Sequence, residues 1–262
     1  MSAPFTGERL HAEATGFGLD LARHQAAYDW AAARGLTAPI LEMGSGSGHG
    51  SPRLRDEGAD VYAIDRVAPD AAARASATRF VRGDLLALPC PDAHFATVVS
   101  FQVIEHFQDP HPYLDEMRRV LHPGGVALIS TPNVARSDGV NPYHFHEYTE
   151  AELRALLEHH FAAVEILGVG VSAAANKVLQ ARSARIRTVM RLDPLALRDR
   201  LPRAWVESLF AWGARLVRAW GSEHRSTESF GVEDFPIGPP DAETSLDWIA
   251  VCREPRPVRQ TV

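Results

Sequence analysis

An apolar run that ends in alternating glycines, APILEMGSGSGHG at residues 38–50, constrains the fold more than any other stretch of this chain. Residues 38–44 read as a buried strand that stops at a glycine. Gly44, Gly46 and Gly48 then let the backbone turn tightly and pass close to whatever lies beside it, where side chains would intervene. A helix-like stretch follows at 50–57, so the run opens a strand–turn–helix unit.

The unit recurs along the chain. ADVYAID (59–65), TRFVRGD (78–84), FATVVSF (95–101), GVALIST (125–131), AAVEILGV (162–169) and SLDWIAVCR (245–253) read as six more strands. Helical patterns lie between them at 68–76, 110–122 and 149–160, and another precedes the first strand over Asp20 to Ala33. In the second of these, Tyr113, Leu114, Met117, Val120 and Leu121 share one face, and Pro123 and Gly124 cannot continue the helix. Thr149 and Glu152 have the spacing of a capping box. Such alternation predicts an α/β fold with a mostly parallel sheet and right-handed crossovers.

Residues 171–244 interrupt the pattern with two helical segments, AAANKVLQARSARIRTVMRL and RAWVESLFAWGARLVRAW. The Gly/Pro-rich loop HRSTESFGVEDFPIGPPDAE follows, and its first part, HRSTESFGVEDF, suits a mobile lid. The chain therefore divides into an N-terminal helical segment (1–37), a core (38–170), a helical insertion or cap (171–244), and a final strand with tail (245–262). Arg182, Arg185, Arg187 and Arg191 read as a solvated face, with an anionic acceptor as the alternative. Trp205, Trp212 and Trp220 fall on one helical face, which suits core packing or a stacking platform.

At 262 residues and 45% hydrophobic content, the chain can bury a sizeable core. Its formal net charge of −6 argues against a general polyanion or nucleic-acid binder. Cys90 and Cys252 lie far apart with no metal-type spacing, which points to a reducing compartment. The N-terminus lacks the basic region and apolar run of a secretory signal, and no segment reaches a membrane-spanning length. A cytoplasmic protein with no membrane span is expected. Nothing in the sequence fixes an oligomeric state.

A glycine loop of this kind also serves dinucleotide sites, but the spacing here is GxGxG and not GxGxxG, and Glu42 precedes Gly44 by two residues. Asp65 ends the second strand, where a carboxylate accepts hydrogen bonds from ribose hydroxyls. ILEMGSGSGHG, AIDR, VRGDLLALPCPDAHFATVVSFQVIEHF and EMRRVLHPGGVALISTPN, in this order and spacing, resemble the successive motifs of class I S-adenosylmethionine (SAM)-dependent methyltransferases. The resemblance covers residues 38–170 and implies a Rossmann-like, seven-stranded sheet whose last strand is antiparallel. It implies SAM as cofactor, bound by Glu42, the loop Gly44, Ser45, Gly46 and Gly48, Asp65 with Arg66, Asp84 and Leu85 beside the adenine, and Phe101 and Gln102.

TGERL, RHQAAY, SFQVIEH, STPN, NPYH and SLDWIA are similar to segments of actinobacterial O-methyltransferases that act on polysaccharide or oligosaccharide hydroxyls. That resemblance implies an oligosaccharide or small-molecule acceptor, and Arg9 or His24 closing over the SAM carboxylate. A quinone, phenol or lipid-like natural product is the alternative acceptor.

A hydroxyl is a poor nucleophile near neutral pH and needs a base or a metal ion. Two loops at the carboxyl edge carry such groups. FQVIEHF supplies Gln102, Glu105 and His106, and NPYHFHEYT supplies His144 and His146. The pattern is similar to E-x-x-E-H in small-RNA 2′-O-methyltransferases and ubiquinone-pathway O-methyltransferases. There, acids and histidines hold a divalent ion such as Mg2+. Aligning HEYT with F-E-W-T in the small-RNA enzymes puts His144 at the ligand position, while Gln102 replaces the first acid. A metal site of Glu105, His106, His144 and Gln102, a general base at His144 or His106, and a purely structural cluster all fit. His146 alternates with His144 and should face away. His94, His111, His122, His159 and His160 read as surface residues.

Overall fold

The computed structural model describes residues 18–54, 60–139, 141–190 and 230–257, with side chains of the last helix followed to residue 184. The elements run α1 (Gly18–Ala32), β1 (Ile40–Met43), β2 (Val61–Asp65), α2 (Ala71–Arg74), β3 (Arg79–Arg82), β4 (Phe95–Phe101) and α3 (His111–Val120). They continue with β5 (Leu121–Pro132), α4 (Glu150–His160), β6 (Phe161–Val169), α5 (Ala173–Met190), β7 (Ile237–Gly238) and β8 (Asp247–Pro255). The strands form one sheet in the order β3-β2-β1-β4-β5-β8-β6-β7. β1 to β5 pair in parallel, and β8 inserts antiparallel between β5 and β6. The seven expected strands are present, the last one antiparallel. β7 is an eighth, two-residue strand contributed by the insertion, paired with the end of β6.

Period-two alternation builds a core on each face of this sheet. Val98, Ala127, Ile129, Ala250 and Cys252 pack with Tyr113, Leu114 and Met117 of α3 and Leu153 and Leu157 of α4. Val99, Leu128, Ile249 and Val251 pack in the other core with Ala26, Ala27 and Ala31 of α1 and Ala175 of α5. Thr149 and Glu152 form a reciprocal capping box at the start of α4. β1 and β4 are neighbours although β2 and β3 lie between them in sequence. The strand order thus reverses between β1 and β4, and the crevice at their carboxyl ends is where open α/β sheets bind ligands.

Three expectations change. The segments at 50–57 and 68–76 yield only a 3-10 turn (Ser51–Leu54, with 55–59 outside the described residues) and the four-residue α2. His160 is not a surface residue. It is buried, with its Nε2 2.9 Å from His111 Nδ1 and its Nδ1 3.3 Å from Asp115. The described part of the supposed lid, 230–235, is pinned: Ser172 N–H donates to Asp234 O (2.7 Å) and Ser172 Oγ to the Asp234 carboxylate (2.6 Å), and Phe235 is buried in the core. The second insertion helix with its three tryptophans, the Arg191 position, and the side chains of Arg185 and Arg187 lie outside the described residues. Arg182 is ion-paired to Asp20 of α1 at 2.7 Å, so this arginine ties the insertion to the core. Among the described residues, no helix is long and apolar enough to cross a membrane.

Candidate active site

Gly44, Gly46 and Gly48 all have positive φ, at 85°, 56° and 86°. Their surroundings differ. A Cβ on Gly44 would lie 2.5 Å from Val103, and one on Gly48 would lie 2.7 Å from Ala73 and 2.9 Å from the Phe80 ring. A Cβ on Gly46 would meet nothing within 4 Å. The outer two glycines are required by packing, while the middle one borders open space. Asp65 closes the loop, accepting from Gly46 N–H (2.8 Å) and Val67 N–H (2.9 Å). Arg66 donates to both oxygens of Asp84 at 3.1 Å on the surface. The Leu86 N–H and then Arg66 hold the Asp84 carboxyl below its ordinary range.

Several residues sit differently from the resemblance's implication. Glu42 is fully buried behind the loop, where its carboxylate accepts from Tyr28 Oη (2.6 Å) and from Ser51 Oγ. Burial raises its pKa against those two bonds. Glu42 therefore braces α1 and the 51–54 turn against β1, and Tyr28 and Ser51 are partners that sequence patterns did not reveal. Ser45 and Leu85 are buried as well, and the exposed apolar side chain next to Asp84 is Leu86. Burial, then His49, holds His24 well below its ordinary pKa, so it stays neutral and is a poor counter-charge for a carboxylate. The charge lies next door: Arg23 Nε is 3.3 Å from the buried Asp247. Arg23, His24, Phe101, Gln102, Ser130 and Asp247 enclose a cavity of about 10 Å³, enough for one water. Arg9 lies outside the described residues.

The second half of the site is the rim formed by the loops after β4 and β5. Glu105 and His106 lie in a 3-10 turn after β4. Phe145 N–H donates to Glu105 O (2.8 Å), which docks the 141–149 loop onto that turn. Tyr148 anchors the loop's far end: it is buried, and its carbonyl accepts from Trp248 Nε1 at 3.0 Å. The result brings Glu105, His106 and His144 together, with ligand atoms all within 4.8 Å of one another. Glu105 is fully buried. Its Oε2 accepts from Thr131 Oγ1 (3.0 Å), its Oε1 has no hydrogen-bond partner, and burial pushes its pKa up to about 7 against the nearby His106. His106 Nδ1 lies 3.1 Å from Tyr143 O and must carry a proton to bond it. His144 Nδ1 lies 2.6 Å from Glu147, and its Nε2 2.8 Å from the Asn141 amide. Burial raises the Glu147 pKa, but the His144 bond outweighs it and the carboxyl stays below its ordinary range.

Residues 41–129 match the family model of a methyltransferase domain. A probable S-adenosylmethionine-dependent methyltransferase of Mycolicibacterium smegmatis is 32% identical over 264 residues, covering 96% of this chain and 95% of that protein. The chain belongs to the SAM-dependent methyltransferases. A malonyl-acyl-carrier-protein O-methyltransferase of Pseudescherichia vulneris is 32% identical over 52% of this chain and 53% of its own length. Among solved structures, a SAM-dependent methyltransferase of Thermotoga maritima, described as a possible histamine N-methyltransferase, aligns with a TM-score of 0.57. It is 14% identical and covers 91% of this chain and 92% of its own, so it supports the fold alone.

For this methyltransferase, SAM as methyl donor follows from the family, and the open space at Gly46 fits a backbone that a ligand approaches. The rim has donors of the kind that hold a divalent cation, Glu105, His106 and His144. Thr131 holds one oxygen of Glu105 and Tyr143 O holds Nδ1 of His106, which is how metal ligands are usually oriented. His144, in contrast, has both nitrogens engaged, Nδ1 by Glu147 and Nε2 by the Asn141 amide, so the amide would have to release Nε2 to a cation. The orphaned Glu105 Oε1 is a buried acceptor that a cation would satisfy. Gln102 does not join them. Its φ is +58°, its N–H donates to Ser130 O, and its amide turns to Ser130 Oγ (3.4 Å) and Asp247. Without Gln102, two imidazoles and one carboxylate remain. Such a set suits a first-row transition metal better than Mg2+, which prefers oxygen ligands. His146 lies half-exposed, 3.9 Å from Glu152.

Proposed function

We propose that this methyltransferase transfers its methyl group to a hydroxyl of a saccharide or glycosylated small molecule, assisted by a divalent cation held by Glu105, His106 and His144. The observation that carries the reading is the orphaned, buried carboxylate oxygen of Glu105 in a cluster whose ligand atoms, with those of His106 and His144, lie within 4.8 Å of one another. A nitrogen or carbon acceptor has less need for such a group, whereas a hydroxyl must lose its proton as its oxygen attacks the methyl carbon and the carbon–sulfur bond breaks. A cation bound there would lower the hydroxyl's pKa as a Lewis acid. The chain's own residues hold the geometry: Glu147 and Tyr143 O fix the imidazoles, Thr131 fixes Glu105, and Glu42 with Asp65 fixes the glycine loop. The insertion, residues 171–244, is assigned as the cap over the acceptor, and Arg182 and Arg136 secure its first helix to the core through Asp20 and Asn176. The O-methyltransferase relative is consistent with an oxygen acceptor.

The contact of His144 with Glu147 favours a second reading of the same site. With no ion, His144 oriented by that carboxylate takes the hydroxyl proton on Nε2 once the acceptor displaces the Asn141 amide. A mass-spectrometric screen of oligosaccharide, glycolipid and quinol acceptors with SAM, with and without EDTA, tests both. A gain of one methyl group on a saccharide, lost in EDTA and restored by Mn2+, is expected. Turnover unchanged in EDTA discards the cation and leaves the base, and methylation of quinols alone overturns the saccharide. His144→Ala should abolish turnover in either case while SAM affinity stays near that of the parent.

A further inference from the structure

At the other end of the sheet from the glycine loop lies a cleft of about 630 Å³, within the range of small-molecule sites. It opens between the turn after α1, the start of β4, the 122–126 bend of β5 and the end of β8. Its walls carry Arg34, Thr37, His122 and Arg253, and no acidic residue lines it.

These cations are unusual in this chain. Nearly every other arginine with a described side chain has an acceptor: Arg23 has Asp247, Arg53 has Asp29, Arg66 has Asp84, Arg118 has Asp115, Arg119 has Glu116, Arg154 has Glu150 and Arg182 has Asp20. Among the described residues none accepts a hydrogen bond or ion pair from the side chain of Arg34 or Arg253. The Arg34 guanidinium instead lies over the Trp30 ring, 4.7 Å from its centroid, a contact that orients it without neutralising it. His122 is committed in a telling sense. Its Nδ1 accepts from Gly124 N–H at 3.1 Å, so even the neutral ring carries its proton on Nε2 and offers a donor. Two unneutralised guanidinium forks and an imidazole N–H thus line one concave site, in a chain whose net charge is −6. Guanidinium forks match the oxygens of phosphate, and charge-assisted bonds of this kind are the strong ones.

We infer that this cleft is a second ligand site, separate from the methyl-transfer rim, that takes a phosphorylated small molecule. It does not rest on the acceptor assigned above, because none of its residues belongs to that rim.

The test is isothermal titration of the full-length, SAM-saturated protein with inorganic pyrophosphate at low ionic strength. Saturable binding near one equivalent is expected, weakened at least about tenfold in R34A and again in R253A, since each removes a charge-assisted hydrogen bond. R34K and R253K should retain part of the affinity, and melting curves of all four variants should match the parent. Sedimentation with phosphatidic acid vesicles separates a free phosphorylated molecule from a lipid headgroup. Absence of heat with the parent, binding unchanged in the double alanine variant, or binding to vesicles alone would each overturn the assignment.

Discussion

Replacing Gly46 by alanine should separate a glycine that faces a ligand from one that faces the core. At φ 56° an alanine pays the left-handed penalty, about 1–2 kcal/mol, but its Cβ meets nothing within 4 Å. Gly48→Ala carries the same penalty at φ 86°. It also drives a methyl to 2.7 Å from Ala73 and 2.9 Å from Phe80, which adds roughly 1–3 kcal/mol of overpacking. For a chain of this size each kcal/mol shifts the melting temperature by about 2–4 °C. Gly46→Ala should therefore melt a few degrees low, and Gly48→Ala should melt lower still. SAM binding should follow a different order. If the backbone at Gly46 is where the cofactor approaches, its new methyl occupies that space, and the Kd for SAM should rise about tenfold or more in a protein that remains folded. Differential scanning fluorimetry gives the first quantity and titration calorimetry with SAM the second. A Gly46→Ala variant that binds SAM like the parent, or that is as unstable as Gly48→Ala, would refute the reasoning.

Glu147→Gln removes the carboxylate that bonds His144 Nδ1 at 2.6 Å, so kcat should fall about 10–100-fold with little change in SAM affinity. Steady-state kinetics at saturating acceptor check this, and an unchanged kcat would remove Glu147 from the site. Burial, then Arg118, lowers the His160 pKa from 6.5 to about 4. The unfolded chain therefore binds the proton first as pH drops. The contribution of neutral His160 is complete above about pH 6.5 and is lost as pH falls toward about 4. His160→Gln should flatten the pH dependence of urea unfolding in that window, and an unaltered slope would contradict it. Thr149→Ala deletes one half of the α4 capping box, whose Glu152 N–H donates to Thr149 Oγ1 at 3.2 Å, and should cost about 1 kcal/mol by chemical denaturation. Parent-like stability would show that the cap contributes nothing.

The sequence was most informative where a feature depends on neighbours along the chain. Strand alternation, the stop at Pro123–Gly124, the capping box and the glycine loop are set within a few residues, by side-chain period, missing donors and φ preferences. Sequence reasoning was least informative on partners. Glu42 sits beside the glycines in sequence and suggests a ligand contact, yet Tyr28 and Ser51 take both its oxygens. His160 ends a helix like any surface residue, and only the packing of α3 against α4 buries it on His111. Glu147 follows His144 by three residues, and that spacing was the one signal that could have exposed the pair.

By itself, then, the sequence determined a mostly parallel α/β sheet with a close-approach turn at the end of β1 and base-rich loops after β4 and β5. The tertiary structure decided which of those bases meet. Glu105 and His144 are far apart along the chain, and they converge because β4 and β5 pair and because Phe145 N–H finds Glu105 O across the rim. Gln102, three residues before Glu105, is turned out of the cluster by a left-handed backbone angle and by Asp247 arriving on β8. Local chemistry fixes which groups a loop offers. Their meeting depends on strands brought together from distant parts of the chain, and no local pattern encodes that.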